Sequence, residues 1–211
     1  MRRTAMLAIA GGVAVVIAAS AAAALSGGGG GGGVAAMAHA APVLGDPDAP
    51  ITIEEWGDYQ CHNCERFHGS SLEIIKRDYV ETGRAKLVFM DFPLNGPDSA
   101  LAASASHCGT GEGMDWEYDD ALYENWAGER TGWITPASLE EFAGEAGLDA
   151  GELSECVESG RHDMRVAETY AHGQAKGVDA TPTFLITNGD KVFKIRGNQP
   201  LDVFLRVFDE L

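Results

Sequence analysis

Basic residues are scarce in this 211-residue chain: fifteen Lys and Arg, only five of them Lys, stand against 32 Asp and Glu, for a formal net charge of −17. Phosphate backbones repel so acidic a chain, which argues against nucleic acid as a partner. A phosphate-cradling glycine loop is missing as well, because the one glycine tract, Gly27 to Gly33, has no strand before it. No internal repeat is present. Cysteine is limited to Cys61, Cys64, Cys108 and Cys156, and His39, His68, His107, His162 and His172 form no ligand spacing typical of a metal site. Acids are absent from residues 1–40 and spread from Asp46 to Glu210 beyond them, as a solvating surface rather than a tail. Such a surface resembles those of proteins from high-salt surroundings, where ions screen self-repulsion. An ordinary acidic secreted protein is the alternative.

What the first forty residues do contain is a targeting pattern. Arg2 and Arg3 precede an uncharged run from Ala5 to Leu25, and Ala38-His39-Ala40 stands before Ala41-Pro42. This fits a secretory signal cut after Ala40, which would take the charge to −19 by removing both arginines. The run is also long enough to cross a bilayer, with polyglycine as a flexible tether outside it. Arg2-Arg3 fits a twin-arginine exporter too. Both main readings place residues 41–211 outside the cytoplasm as one domain, where disulfides persist. Four cysteines allow three pairings. The economical assignment is a reactive Cys61/Cys64 pair and a structural Cys108/Cys156 bridge, the latter closing a long helical segment and stabilising the fold by ~4 kcal/mol.

Apolar periodicity predicts an α/β fold. Ile51-Thr52-Ile53 with Trp56 reads as a strand, and Gly57-Asp58-Tyr59-Gln60 as a turn into a helix from Cys61. Cys64, Phe67, His68, Leu72, Ile75 and Tyr79 share one face of that helix, which Gly83 ends, and Lys86 to Met90 forms a buried strand. Residues 98–177 read as a helical insert, broken at Gly109, Gly111 and Gly113. Its helices include one capped by Thr135-Pro136 and one by Asp149 with Glu152 in capping-box spacing. Trp116, Tyr118, Tyr123 and Trp126 read as insert core. Thr183 to Ile186 and Val192 to Ile195 form a hairpin whose Asn188-Gly189 favours a primed turn. Leu201, Phe204, Leu205, Phe208 and Leu211 mark a terminal amphipathic helix. The order is a βαβ unit, a helical insert, then ββα.

The chemistry centres on Cys61-His62-Asn63-Cys64. A cysteine at a helix start lies over unpaired backbone N–H groups and the positive end of the helix dipole, which favours thiolate over thiol. The thiolate is the attacking species in disulfide exchange, so Cys61 is the candidate nucleophile and Cys64, one turn on, the resolving thiol. A positive charge on His62 would stabilise the thiolate further. Taken alone, the pair also fits an inert bridge or half a zinc site, with His62, His68 and His107 as possible ligands. Thr181-Pro182 is the second feature, because an X-Pro bond is where a cis peptide is cheapest and where an edge for an extended peptide can open.

Together, Glu55-Trp56-x-Asp58-Tyr59-Gln60-Cys61-x-x-Cys64 and Val178-Asp179-Ala180-Thr181-Pro182-Thr183-Phe184 resemble the two active-site segments of DsbA-like thiol:disulfide oxidoreductases. The resemblance covers about residues 43–211. It implies a thioredoxin-like fold with an inserted helical subdomain and no cofactor beyond the redox-active disulfide. It implies Cys61 as nucleophile, Cys64 as resolving thiol, Pro182 as a cis-proline facing them, and Thr181 offering backbone hydrogen bonds to substrate. Glu55 would lie beneath the site and assist proton transfer from Cys64; a solvent-facing strand acid is the alternative. A Cys108/Cys156 pair occurs in some members, and a second redox relay is the alternative to a structural bridge. Familiar members often carry Pro then His or Tyr between the cysteines, whereas this chain has His62 then Asn63, so the family's potential does not transfer.

The expected activity is donation of a disulfide to reduced exported proteins by a monomer, which a membrane partner of DsbB or VKOR type then reoxidises. An isomerase or reductase of the same fold is the first alternative. The second is a tethered, non-catalytic binding module with structural disulfides, in which alkylation would find no selectively reactive Cys61.

Overall fold

A computed structural model describes residues 42–109 and 115–211. The expected signal or anchor in residues 1–40 and the breaks at Gly111 and Gly113 lie outside the described residues. Among the described residues no helix is long and apolar enough to cross a membrane.

Five strands form one sheet in the order β1-β3-β2-β4-β5. The strands β2 (Ile51–Gly57) and β3 (Ala85–Asp91) run parallel, joined by the helix α1 (residues 62–80); β4 (Thr183–Thr187) lies antiparallel on the other side of β2, and β5 (Val192–Arg196) follows it. The two-residue β1 (Val43–Leu44) pairs antiparallel with β3, a strand not expected from the sequence. Successive strand residues point to opposite faces, so Ile53, Glu55 and Gly57 share one face of β2 and Glu54 and Trp56 the other. Ile53 joins the main core with α1, whereas Trp56 packs with Val88, Met90, Phe92 and Val178. Of two consecutive glutamates, alternation therefore sends Glu55 inward. Glu54 stays at the rim, 2.7 Å from Lys176.

The helix α1 consists of α-helical His62–Phe67 and Glu73–Ile75 interleaved with wider π turns at His68–Leu72 and Lys76–Val80. Every residue expected on its inner face is buried. Gly83, at φ 71°, takes a left-handed conformation that a Cβ disfavours and turns the chain into β3.

Between β3 and β4 lie α2 (Pro97–Gly109), α3 (Asp115–Glu124), α4 (Pro136–Ala146), α5 (Ala150–Glu158) and α6 (Asp163–Ala175). Thr135 caps α4 by accepting from Ser138 N at 3.1 Å while Ser138 Oγ accepts from Thr135 N at 2.9 Å, with Pro136 at the first helical position. Asp149 Oδ1 caps α5 by accepting from Gly151 N and Glu152 N. Residues 125–135 are irregular rather than helical. The hairpin also departs from expectation: Thr187 pairs with Val192, leaving a four-residue connection in place of a two-residue primed turn. Asn188 Oδ1 accepts from Asp190 N and Lys191 N there, so its side chain organises a longer loop.

Close approach holds α6 to the sheet. A Cβ at Gly173 would fall 2.6 Å from Trp56 Cζ3. Gly173→Ala is therefore expected to lower the unfolding free energy by about 1–3 kcal/mol despite alanine's better helix propensity, as read by urea titration. The last helix, α7 (Leu201–Glu210), closes the opposite face with Phe204 against Phe67 and Phe184.

Candidate active site

At the C-terminal end of β2 the chain makes a short loop held by buried polar residues. Asp58 is buried, and its carboxylate accepts from Gln60 N, Leu94 N, Asn95 N and Asn95 Nδ2, which ties the loop to the segment after β3. Gln60 is bonded on every side. Its Nε2 donates to Ser99 Oγ at 2.8 Å and Asn95 O at 3.3 Å, its Oε1 accepts from Arg130 N at 2.9 Å, and its carbonyl accepts from Trp126 Nε1 at 2.8 Å. Arg130 reaches Gln60 from a left-handed turn at φ 57°. Four contacts of this kind, one buried and three part-buried, hold a loop that carries few apolar side chains.

Cys61 is the residue capping α1, at φ −71° and ψ 120°, so its side chain stands over the helix start. It is 5 % exposed and Cys64 is fully buried, and no disulfide joins the two. Cys61 Sγ lies 3.4 Å from Thr181 O, so two segments separated by 120 residues meet face to face; the Thr181–Pro182 peptide there is cis. The Cys64 thiol, above all, lowers the Cys61 pKa from 9.0 to about 7; burial opposes this, and the Thr181 side chain and the N–H groups of Cys64 and Asn63 add to it. Burial pushes Cys64 well up, and the neighbouring Cys61 and the Glu55 carboxylate push the same way. One sulfur is poised as thiolate at neutral pH and the other is held as thiol.

His62 and Asn63 are exposed. The His62 ring lies 5.3 Å from that of Trp126, and its backbone N–H donates to Glu129 Oε1. Trp126, expected in the insert core, is half-buried at the active site, because the irregular stretch after α3 folds back over the Cys61 loop. Of the other histidines weighed as ligands, His68 pairs with Glu55 at 3.2 Å and His107 with Asp91 at 2.6 Å.

Glu55 is fully buried, which overturns the solvent-facing alternative. The alternation with Ile53 was the signal in the sequence that predicts it. His68, weighed in the sequence as a possible zinc ligand, is instead the partner of Glu55, and Tyr123, whose tilted ring lies 3.9 Å from that of His68, is a neighbour of the site that the sequence does not reveal. Asp119 is another. It accepts from Tyr59 Oη at 2.6 Å and Ser106 Oγ at 2.5 Å, linking the insert to the loop two residues before Cys61.

Burial above all, with Asp91 nearby, raises the Asp119 pKa from 3.8 to about 7, against the hydrogen bonds from Ser106 and Tyr59 and the charge of His107. The folded state keeps this proton after the unfolded chain has released it. Stability from this carboxyl is thus complete below about pH 4 and lost progressively to pH 7, on the order of 4 kcal/mol in all. Asp119→Asn keeps an oxygen for both donors. It is expected to flatten the fall in stability between pH 4 and pH 7 by about one proton per molecule, measured by chemical denaturation across pH.

Cys108 and Cys156 form a disulfide between α2 and α5, with Cα atoms 5.9 Å apart. Their sulfurs and a ring nitrogen of His162 lie within 4.8 Å of one another.

The profile of the family described as thioredoxin matches residues 38–207. Disulfide bond formation protein D of Bacillus subtilis is 31% identical over 156 residues, 72% of this chain and 69% of its own length. The crystal structure of oxidised BdbD from Bacillus subtilis matches with a TM-score of 0.74 at 28% identity, over 82% of this chain and 92% of that one. That of Chlamydia trachomatis DsbA matches with a TM-score of 0.71 at 25% identity, over 80% and 90%. Family profile, fold and the paired cysteines agree: this chain belongs to the thioredoxin family as a DsbA-type thiol:disulfide oxidoreductase.

Proposed function

We propose that this enzyme is an exported disulfide donor acting through Cys61 and Cys64. The observation that carries the reading is the asymmetry of the pair: Cys61, lowered to about 7, faces the Thr181 carbonyl at the cis-proline, while Cys64 is buried and held protonated. A thiol with a low pKa is a good leaving group, so a mixed disulfide at Cys61 resolves readily toward the reduced enzyme. The substrate thiolate attacks Cys61 Sγ and Cys64 departs. A second substrate thiolate then attacks the substrate sulfur, releasing Cys61 as thiolate and the substrate as disulfide. Thr181, before Pro182, offers its backbone to an extended substrate, and Glu55 accepts or returns the Cys64 proton.

Export is supported by the basic start, apolar run and Ala38-His39-Ala40 of the first forty residues. The substrates are then reduced exported proteins, and reoxidation falls to a membrane partner of DsbB or VKOR type. The Cys108–Cys156 bridge is structural in this reading. One observation favours a second reading: a Cys61 pKa near 7 lies at the thioredoxin end of the range for such motifs rather than at the strongly oxidising end, which suits an isomerase or reductase.

Equilibration of the pair in glutathione buffers, with Cys108–Cys156 intact, separates them. A potential above about −180 mV supports the donor, and one below about −250 mV sinks it in favour of a reductase.

A further inference from the structure

Cys64 is fully buried, so the proton it takes up needs a route. When a dithiol reduces the Cys61–Cys64 bond, one substrate thiolate forms a bond to Cys61 Sγ and the Cys61–Cys64 bond breaks. Cys64 leaves with the electron pair and takes one proton. The second substrate thiolate then forms the substrate disulfide and expels Cys61 as thiolate. Two protons arrive on the dithiol; one ends on Cys64 and the other in solvent.

Glu55 is close enough for its charge to act on Cys64, but it is itself sealed from water. Its Oε1 lies 3.2 Å from His68 Nε2. Glu55 Oε2 and His68 Nδ1 are buried with no hydrogen-bond partner among the described residues. His68, in turn, lines a surface hollow of about 390 Å³ together with Glu65, Glu73, Asp120, Tyr123 and Glu124. The imidazole is bonded through Nε2 to a buried carboxylate, and its unpartnered Nδ1 lies just beneath the hollow, so a small side-chain movement that lets water reach Nδ1 gives the ring a second site at which to hand a proton on.

We propose that His68 is a positioning residue that passes protons between Glu55 and the acidic hollow, so that Cys64 exchanges its proton with water through Glu55 and His68. This rests on Cys64 as the resolving thiol. The groups facing His68 are Glu55 from β2, Phe89 from β3, Tyr123 from α3 and Phe67 on its own helix. At the hollow, Asp120 is also bonded by Lys76 at 3.0 Å. A merely structural Glu55–His68 pair would affect stability when broken and leave the proton-coupled rate alone.

The test is rapid mixing of the oxidised protein with dithiothreitol from pH 5.5 to 9, comparing wild type, Glu55→Gln, His68→Gln and the double variant. Glutamine at 68 keeps an amide donor for Glu55 but cannot pass a proton. His68→Gln is expected to slow reduction at least roughly tenfold and change the pH profile, with the double variant no slower than Glu55→Gln alone. A His68→Gln protein with the wild-type rate and profile overturns the proposal, and so do effects that multiply in the double variant. Should His68→Gln not fold, nitrogen NMR of His68 in the unaltered protein decides: a ring whose protonation or tautomer differs between the oxidised and reduced forms is expected, and one unchanged in both over this range overturns the proposal. Dithiothreitol needs no exported substrate. A wild type that cycles with it but fails to oxidise a reduced protein sinks only the donor reading, whereas one that does not cycle sinks both.

Discussion

Cys61→Ser is expected to reduce disulfide exchange by at least about three orders of magnitude, because among the described residues no other cysteine is both poised as thiolate near neutral pH and set beside Thr181-Pro182. Cys64 cannot substitute, being fully buried with its pKa pushed well up. Oxidation of a reduced, unfolded model protein, followed by its regained activity, reads the loss. The reciprocal variant is expected to behave differently: in the proposed mechanism Cys64→Ser leaves Cys61 reactive but removes the thiol that would resolve a mixed disulfide. It should accumulate covalent adducts with substrate, visible by mass spectrometry and cleared by reductant. The missing Cys64 thiol is also the largest influence lowering the Cys61 pKa, so thiolate absorbance should titrate at higher pH in Cys64→Ser. Equal loss of exchange in both variants without trapped adducts would contradict these roles.

Removing the second bridge is expected to act on stability instead. The bond from Cys108 on α2 to Cys156 on α5 spans 48 residues of chain, and its loss frees that loop in the unfolded state. A Cys108→Ala/Cys156→Ala variant should be less stable by about 4 kcal/mol, with a melting temperature lower by roughly 10 °C. The rate of reduction of Cys61–Cys64 by dithiothreitol should stay near that of the wild type. A slowed reaction would instead favour the relay reading of Cys108 and Cys156.

The order of elements was legible because it depends on local periodicity and on punctuation such as Gly83 and Thr135-Pro136. The placement of Cys61 opposite Thr181-Pro182 was legible only through resemblance, because nothing local to either segment brings Cys61 to Thr181, 120 residues away. Glu55 shows an intermediate case. Its burial followed from sharing a strand face with Ile53, yet a carboxylate in a strand reads by composition as a surface residue until the pairing of β2 with both β3 and β4 is known. The strand β1 has two residues and no period to detect. Trp126 and Asp119 were missed for a different reason: their partners, Gln60 and Tyr59, are 66 and 60 residues away, and long-range polar bonds leave no spacing signature. The four-residue hairpin loop escaped because an Asn-Gly pair serves both a tight primed turn and a longer loop built on the Asn side chain.

The bonds of Gln60 have one more consequence. Every strong side-chain anchor of the loop falls before Cys61, and the helix that follows is anchored by apolar residues from Cys64 onward, while His62 and Asn63 are left exposed between them. The two residues that stand next to the Cys61 sulfur in the chain are therefore exposed positions whose side chains add little to the core. Redox poise and folding are separable traits in this architecture: the dipeptide can change, and the potential with it, while the scaffold stays the same. His62→Pro is the exception, since it would delete the N–H that donates to Glu129.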